Sequence, residues 1–122
     1  MDFDSYQKFT LSTAIYPGAG TGSPEAVVYC ALGIAGEAGE IHEKLKRLVR
    51  GSSSRPGGFQ ALATLSEEDR LALAKEAGDV FWYLSRLIDE LGLSLSEVIA
   101  SNVEKLSSRR DRGVLRGTGD DR

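Results

Sequence analysis

Residues 36–44 read GEAGEIHEK and residues 75–83 read KEAGDVFWY, so a Glu-Ala-Gly-acid tetrapeptide occurs twice, at Glu37 to Glu40 and at Glu76 to Asp79. Each copy lies in a run whose apolar residues recur at helical spacing. In the first run Val27, Cys30, Ala31, Ile34, Ala38, Ile41, Leu45 and Leu48 keep that period as far as Arg50. In the second, Leu73, Ala77, Val80, Phe81, Leu84, Leu87, Ile88 and Leu91 mark the stripe expected to be buried. Acids three residues apart are neighbours on one helical face. Both pairs sit on the flank of their own stripe, so antiparallel packing along the stripes is expected to bring four carboxylates into one pocket.

Working outward, the punctuation is that of helices. Ser23-Pro24-Glu25 supplies a capping hydroxyl, a Pro at the first helical position and an acid at the positive end of the dipole. Ser66 with Asp69 caps the second long helix, and Gly92 ends it. Ser94 with Glu97 is a capping-box pattern for a further helix carried by Leu95, Val98, Ile99 and Leu106. Near the N-terminus, Asp4 with Gln7 opens DSYQKFTLSTAIY, which PGAGTGS then breaks. The polar GSSSRPGG at 51–58 reads as a loop. No strand alternation is present, so the class is all-α, a four-helix-type bundle. Residues 1–110 form one domain on this reading, and 111–122 form a Gly/Arg-rich tail.

Composition narrows the function classes. With 41% hydrophobic and 27% charged residues the chain is ordinary for a globular protein, and no run approaches the roughly 18 apolar residues of a membrane span. The acidic start MDFD carries no basic flank before an apolar run, so no signal peptide is expected. The lone Cys30 fits a reducing, cytoplasmic setting. The net charge of -3 divides unevenly, because residues 105–122 hold six Lys or Arg against three Asp. An acidic body with a short basic tail lacks the contiguous basic face that nucleic acid needs.

Four carboxylates gathered without compensation repel one another and raise their pKa values. A hard divalent cation is the natural partner; Mg²⁺ takes oxygen ligands and keeps waters and phosphate oxygens in its shell, and Mn²⁺ can substitute. Gly39 and Gly78 each cost up to about 1 kcal/mol inside a helix, which points to a backbone or ligand approaching there. Either acidic pair alone would read as a solvated helix face. The repetition at matched phase favours a metal site instead. A di-iron site wants Glu-x-x-His, and His42 does not stand three residues after any Glu.

These residues carry a resemblance. GIAGEAGEIHEKLKRLVR, LAKEAGDVFWYLSRLIDELGLSLSEVIASNVEKLSSR, the tail RGVLRGTGDDR and the opening YQKFTLSTAIYP are similar to the MazG-like branch of the all-α nucleoside triphosphate pyrophosphohydrolases. The resemblance implies hydrolysis of nucleoside triphosphates between the α- and β-phosphates, and Mg²⁺ held by Glu37, Glu40, Glu76 and Asp79. It makes Asn102 and Lys105 candidate phosphate or metal-shell contacts. Glu37 or Glu40 is the candidate general base, and Lys105 with Arg109 or Arg112 the candidates for stabilising the departing pyrophosphate. The linker between the acidic motifs is longer than in compact members.

Tyr83 falls on the flank of Glu76 and Asp79, so it is a candidate for a hydrogen bond in the site. Trp82 falls almost opposite the buried stripe and is expected at a subunit interface, in a homodimer or a tetramer. The rival function is a non-catalytic helical dimerisation or regulatory module of the same fold; a third is a divalent-metal buffer.

Overall fold

A computed structural model describes residues 1–121. It contains α1 (Phe3–Ser12), α2 (Pro24–Arg50), a 3₁₀ turn (Phe59–Leu62), α3 (Glu67–Glu90) and α4 (Leu95–Asp111), with no strand among the described residues. No helix is long and apolar enough to cross a membrane.

Each α-helix starts on a side-chain cap. Ser23, Ser66 and Ser94 accept from the backbone N–H of Ala26, Asp69 and Glu97, as the sequence predicts. The first helix differs, because Asp2 and not Asp4 caps it, accepting from Ser5 N–H at 2.7 Å. Asp4 is spent on the fourth helix instead, where it accepts from Ser94 Oγ and Ser96 N–H. Gln7 completes that junction: its amide donates to Leu93 O at 2.8 Å and accepts from Leu95 N–H at 2.9 Å.

The long helices α2 and α3 form an antiparallel pair. At about 1.5 Å per residue they run roughly 40 and 36 Å. α1 lies against α3, with the Tyr6 and Phe81 rings 5.3 Å apart. α4 meets α1 and α3 but not α2. The 51–58 segment folds into a tight turn in which Ser52 N–H donates to Arg55 O, and Arg55 pairs with Asp69 at 2.7 Å.

The core of one chain is small. Tyr16, Ala26 and Cys30 are buried together, with Ala14, Ala19, Trp82 and Leu87 packed against them. Much of the stripe expected to be buried stays open: Ala31, Ala77, Phe81, Leu84, Leu91 and Leu106 are all exposed. Elsewhere Ile15 is 97% and Leu32 67% exposed. The accessible surface is 8430 Å², against about 6,400 Å² for a compact monomer of this mass. The buried residues of α3 are Ser85, Arg86 and Glu90, none of them in the expected stripe; within one chain the stripe is covered only in part.

Candidate metal centre

The antiparallel pair sets Glu37 on α2 opposite Glu76 and Asp79 on α3. Each offers a carboxylate oxygen within 4.8 Å of the other two. Glu37 and Glu76 are half-buried and Asp79 is exposed. Burial pushes the Glu37 carboxyl above its ordinary range, and the negative charges of Asp79, Glu76 and Glu40 push it further. Among the described residues one ion pair touches the cluster, Lys44 Nζ to Glu76 Oε1 at 3.3 Å. Three converging hard oxygen donors with a single lysine paired to one of them fit Mg²⁺ or Mn²⁺.

Glu40 stands outside this set and is exposed. The expected convergence of four carboxylates is thus a convergence of three. The glycine argument also changes. A Cβ at Gly39 or Gly78 would meet nothing within 4 Å, so the space where a side chain would sit is open at both. Within the α2–α3 pair the position that needs glycine is Gly33, where a Cβ would overlap the Tyr83 ring. Gly33 lets Tyr83 lie flat on α2, beside Glu37.

A cavity of about 250 Å³ opens next to the carboxylates, lined by Thr13, Glu37, Asp79, Trp82 and Tyr83. Tyr83 is where the sequence placed it; burial pushes its hydroxyl pKa up, with smaller contributions from Tyr29 and Glu37. Trp82 is not the exposed residue expected. The end of α1 and the loop after it cover that side of α3. Trp82 Nε1 donates to Thr13 Oγ1 at 2.8 Å, and the Thr13 hydroxyl donates in turn to Thr10 O. The indole meets Tyr83 edge-on at 4.9 Å and Tyr16 edge-on at 6.3 Å. Sequence reasoning missed Thr13 because its contact is made across the fold, 69 residues away.

The polar residues of α4 are placed elsewhere. Asn102 and Lys105 line a separate groove of about 400 Å³ with Leu93, Glu97, Val98 and Ser101. Arg109 is buried and donates to the carbonyls of Asp120, at 2.6 Å, and Gly119. Arg112 Nε donates to Ser108 Oγ at 3.2 Å. Within one chain, none of the four lines the cavity at the carboxylates.

Comparison with known proteins places the chain in a family. The family model described as the MazG nucleotide pyrophosphohydrolase domain matches residues 28–114. The Gene 37 protein of Mycobacterium phage L5 is 42% identical over 123 residues, an alignment that spans the whole of both chains. No solved structure matches.

Proposed function

Because this chain belongs to the MazG nucleotide pyrophosphohydrolase family, we propose that it hydrolyses (deoxy)nucleoside triphosphates at the α-β phosphoanhydride, giving the monophosphate and pyrophosphate in a Mg²⁺-dependent reaction. Its role is the cleaning of the nucleotide pool. The observation that carries the reading is the convergence of Glu37, Glu76 and Asp79 beside an aromatic-walled cavity. Those three carboxylates hold the cation. When bound, a divalent ion neutralises phosphate charge and lowers the pKa of a nearby water.

The chain's own residues do the rest. The cavity of Thr13, Trp82 and Tyr83 takes the nucleoside, which directs the phosphates over the carboxylates. Glu40 lies one helical turn from Glu37 and outside the three-carboxylate set, so it is free to accept a proton. A water oxygen bonds to the α-phosphorus as Glu40 takes the water's proton. The bond from the α-phosphorus to the bridging oxygen breaks, and pyrophosphate leaves.

The protein acts as a dimer or tetramer. Its surface exceeds that of a compact monomer by on the order of 2,000 Å², while a standard interface covers about 800 Å² on each partner. Asn102 and Lys105 share no cavity with the carboxylates of their own chain, so their phosphate contacts depend on a second copy laying its α4 alongside the α2–α3 pair.

The test is release of both products from a panel of canonical and modified nucleotides, with Mg²⁺, Mn²⁺ or chelator. Asp79→Asn is expected to lose turnover by on the order of 10²–10³-fold, together with Mn²⁺ binding. Glu40→Gln is expected to lose turnover while keeping Mn²⁺. Turnover indifferent to chelator would remove the metal role. No product from any nucleotide would leave a metal-binding or dimerisation module of the same fold.

A further inference from the structure

About three turns beyond Asp79 on α3, a second charged group is hidden from solvent. Arg86 is fully buried and Glu90 is 4% exposed. Glu90 Oε1 accepts from the Tyr16 hydroxyl, from Gly20 N–H at 2.7 Å and from Arg86 Nη2 at 3.0 Å, while Oε2 accepts from Gly22 N–H at 2.8 Å. Gly20 and Gly22 both have positive φ, the left-handed backbone that turns their N–H groups onto one carboxylate. Arg86 Nε donates to Tyr16 Oη at 3.0 Å. The Tyr16 hydroxyl is therefore held from both sides.

The Tyr16 ring carries this constraint toward the cavity. It stacks on Tyr29 at 5.1 Å and meets the Trp82 indole edge-on. Trp82 in turn lines the same cavity as Glu37 and Asp79. A buried ion pair is a poor device for stability alone, because apolar residues of like volume often do as well or better. This one occupies a core that is already small, and it ties the loop that carries Thr13 and Tyr16 to the helix that carries Asp79.

We infer that Glu90 and Arg86 are positioning residues for the nucleotide cavity, acting through Tyr16 to fix the Trp82 wall beside Glu37 and Asp79. The inference rests on the nucleotide reading of that cavity. It differs from a pH switch, since several donors keep Glu90 ionised at any pH near neutrality.

Trp82 is the chain's one tryptophan, so its fluorescence reports on the cavity wall directly. The experiment compares emission, quenching by acrylamide and steady-state kinetics in wild type, Tyr16→Phe and Glu90→Gln. Asp4→Ala, which cuts the bonds to Ser94 and Ser96 away from the cavity, serves as the control for lost stability. Tyr16→Phe and Glu90→Gln are expected to red-shift and expose Trp82, and to raise KM roughly tenfold with kcat within about twofold. Asp4→Ala is expected to lower Tm while moving neither emission nor KM. Wild-type emission and KM in Tyr16→Phe, with only Tm reduced, would overturn the inference. If Glu90→Gln fails to fold, Tyr16→Phe decides alone. If wild type turns over no nucleotide, the hydrolase reading falls, and Trp82 emission and quenching still decide whether the network fixes the wall.

Discussion

One helix, α3, presents carboxylates in two places and treats them in opposite ways. Glu76 and Asp79 face Glu37 with one lysine paired to Glu76, and burial together with the neighbouring charges pushes Glu37 above its ordinary range. At Glu90 burial also opposes the charge, yet bonds from Tyr16, Gly20, Gly22 and Arg86 more than offset it and bring the carboxyl down to about 2. The fold thus has the means to satisfy an acid completely, and it does so where the acid is structural. The difference teaches that helical spacing of charged residues alone does not identify a site: Arg86 and Glu90, four apart, share a helical face just as Glu37 and Glu40, three apart, do. What separates the two regions is compensation from within the chain.

The largest effect should come from removing compensation where it is complete. Glu90→Ala removes one of the two carboxylates that pair with buried Arg86, leaving Asp89 at 2.7 Å, and a loss of roughly 3 kcal/mol, the low end of the cost of breaking a buried pair, is expected in denaturant unfolding of the cation-free protein. Asp79→Asn should do the reverse, raising the cation-free Tm slightly because it removes a like charge, and abolishing any rise in Tm given by Mn²⁺. A cation-free Tm that falls in both variants would erase the distinction between the regions.

The two regions should also respond to pH with opposite signs. Glu90 is depressed in the fold, so its contribution is present above the ordinary value of 4.5 and is lost as pH falls toward about 2. By linkage that contribution is on the order of 3 kcal/mol. Glu37 is raised, so its strain is relieved as pH falls from neutrality through the raised value. Cation-free stability should therefore climb gently on leaving neutrality and then drop on an acid limb, to which Asp69 and the capping Asp2 also contribute. Glu90→Gln should flatten the acid limb and Glu37→Gln the gentle rise. A curve with no rise before the acid limb would mean that Glu37 is not strained.

Much of this was legible because it is local. Caps and periodicity are written within a few residues, and Ser23, Ser66 and Ser94 start their helices as read. Asp2 and Asp4 both suit the first cap, and the choice between them is made by Ser94 across the fold. The shared phase of the two tetrapeptides was enough to bring Glu37, Glu76 and Asp79 together, since antiparallel helices preserve phase. Which fourth acid drops out depends on how the helices cross, and spacing does not record that. The same limit misdirected the glycine reading to Gly39 and Gly78, when the close contact is Gly33 under Tyr83. A helical wheel placed Trp82 opposite the stripe, but the cover comes from α1 and the loop tied down by Glu90. The burial of Arg86 and Glu90 had no local signal beyond their spacing.

The smallest effect tests the comparison most closely, because Lys44 is where the two regions come nearest to resembling each other. Its ammonium lies 3.3 Å from Glu76 and is about a third exposed. If the metal centre is bare by construction, this pair is only a resident counter-ion that a divalent cation must displace. Lys44→Met keeps the apolar stem and removes the charge. Cation-free stability should then change by less than about 1 kcal/mol, as for other partly exposed pairs. Mn²⁺ binding, measured by calorimetry, should strengthen by about two- to fivefold, because Glu76 no longer has to leave a partner and 1.4 kcal/mol corresponds to tenfold. Weaker Mn²⁺ binding in Lys44→Met would mean the opposite: Lys44 would be holding Glu76 ready for the ion, as Arg86 holds Glu90. Both regions would then be pre-arranged by a cation of the same chain, and they would differ only in burial.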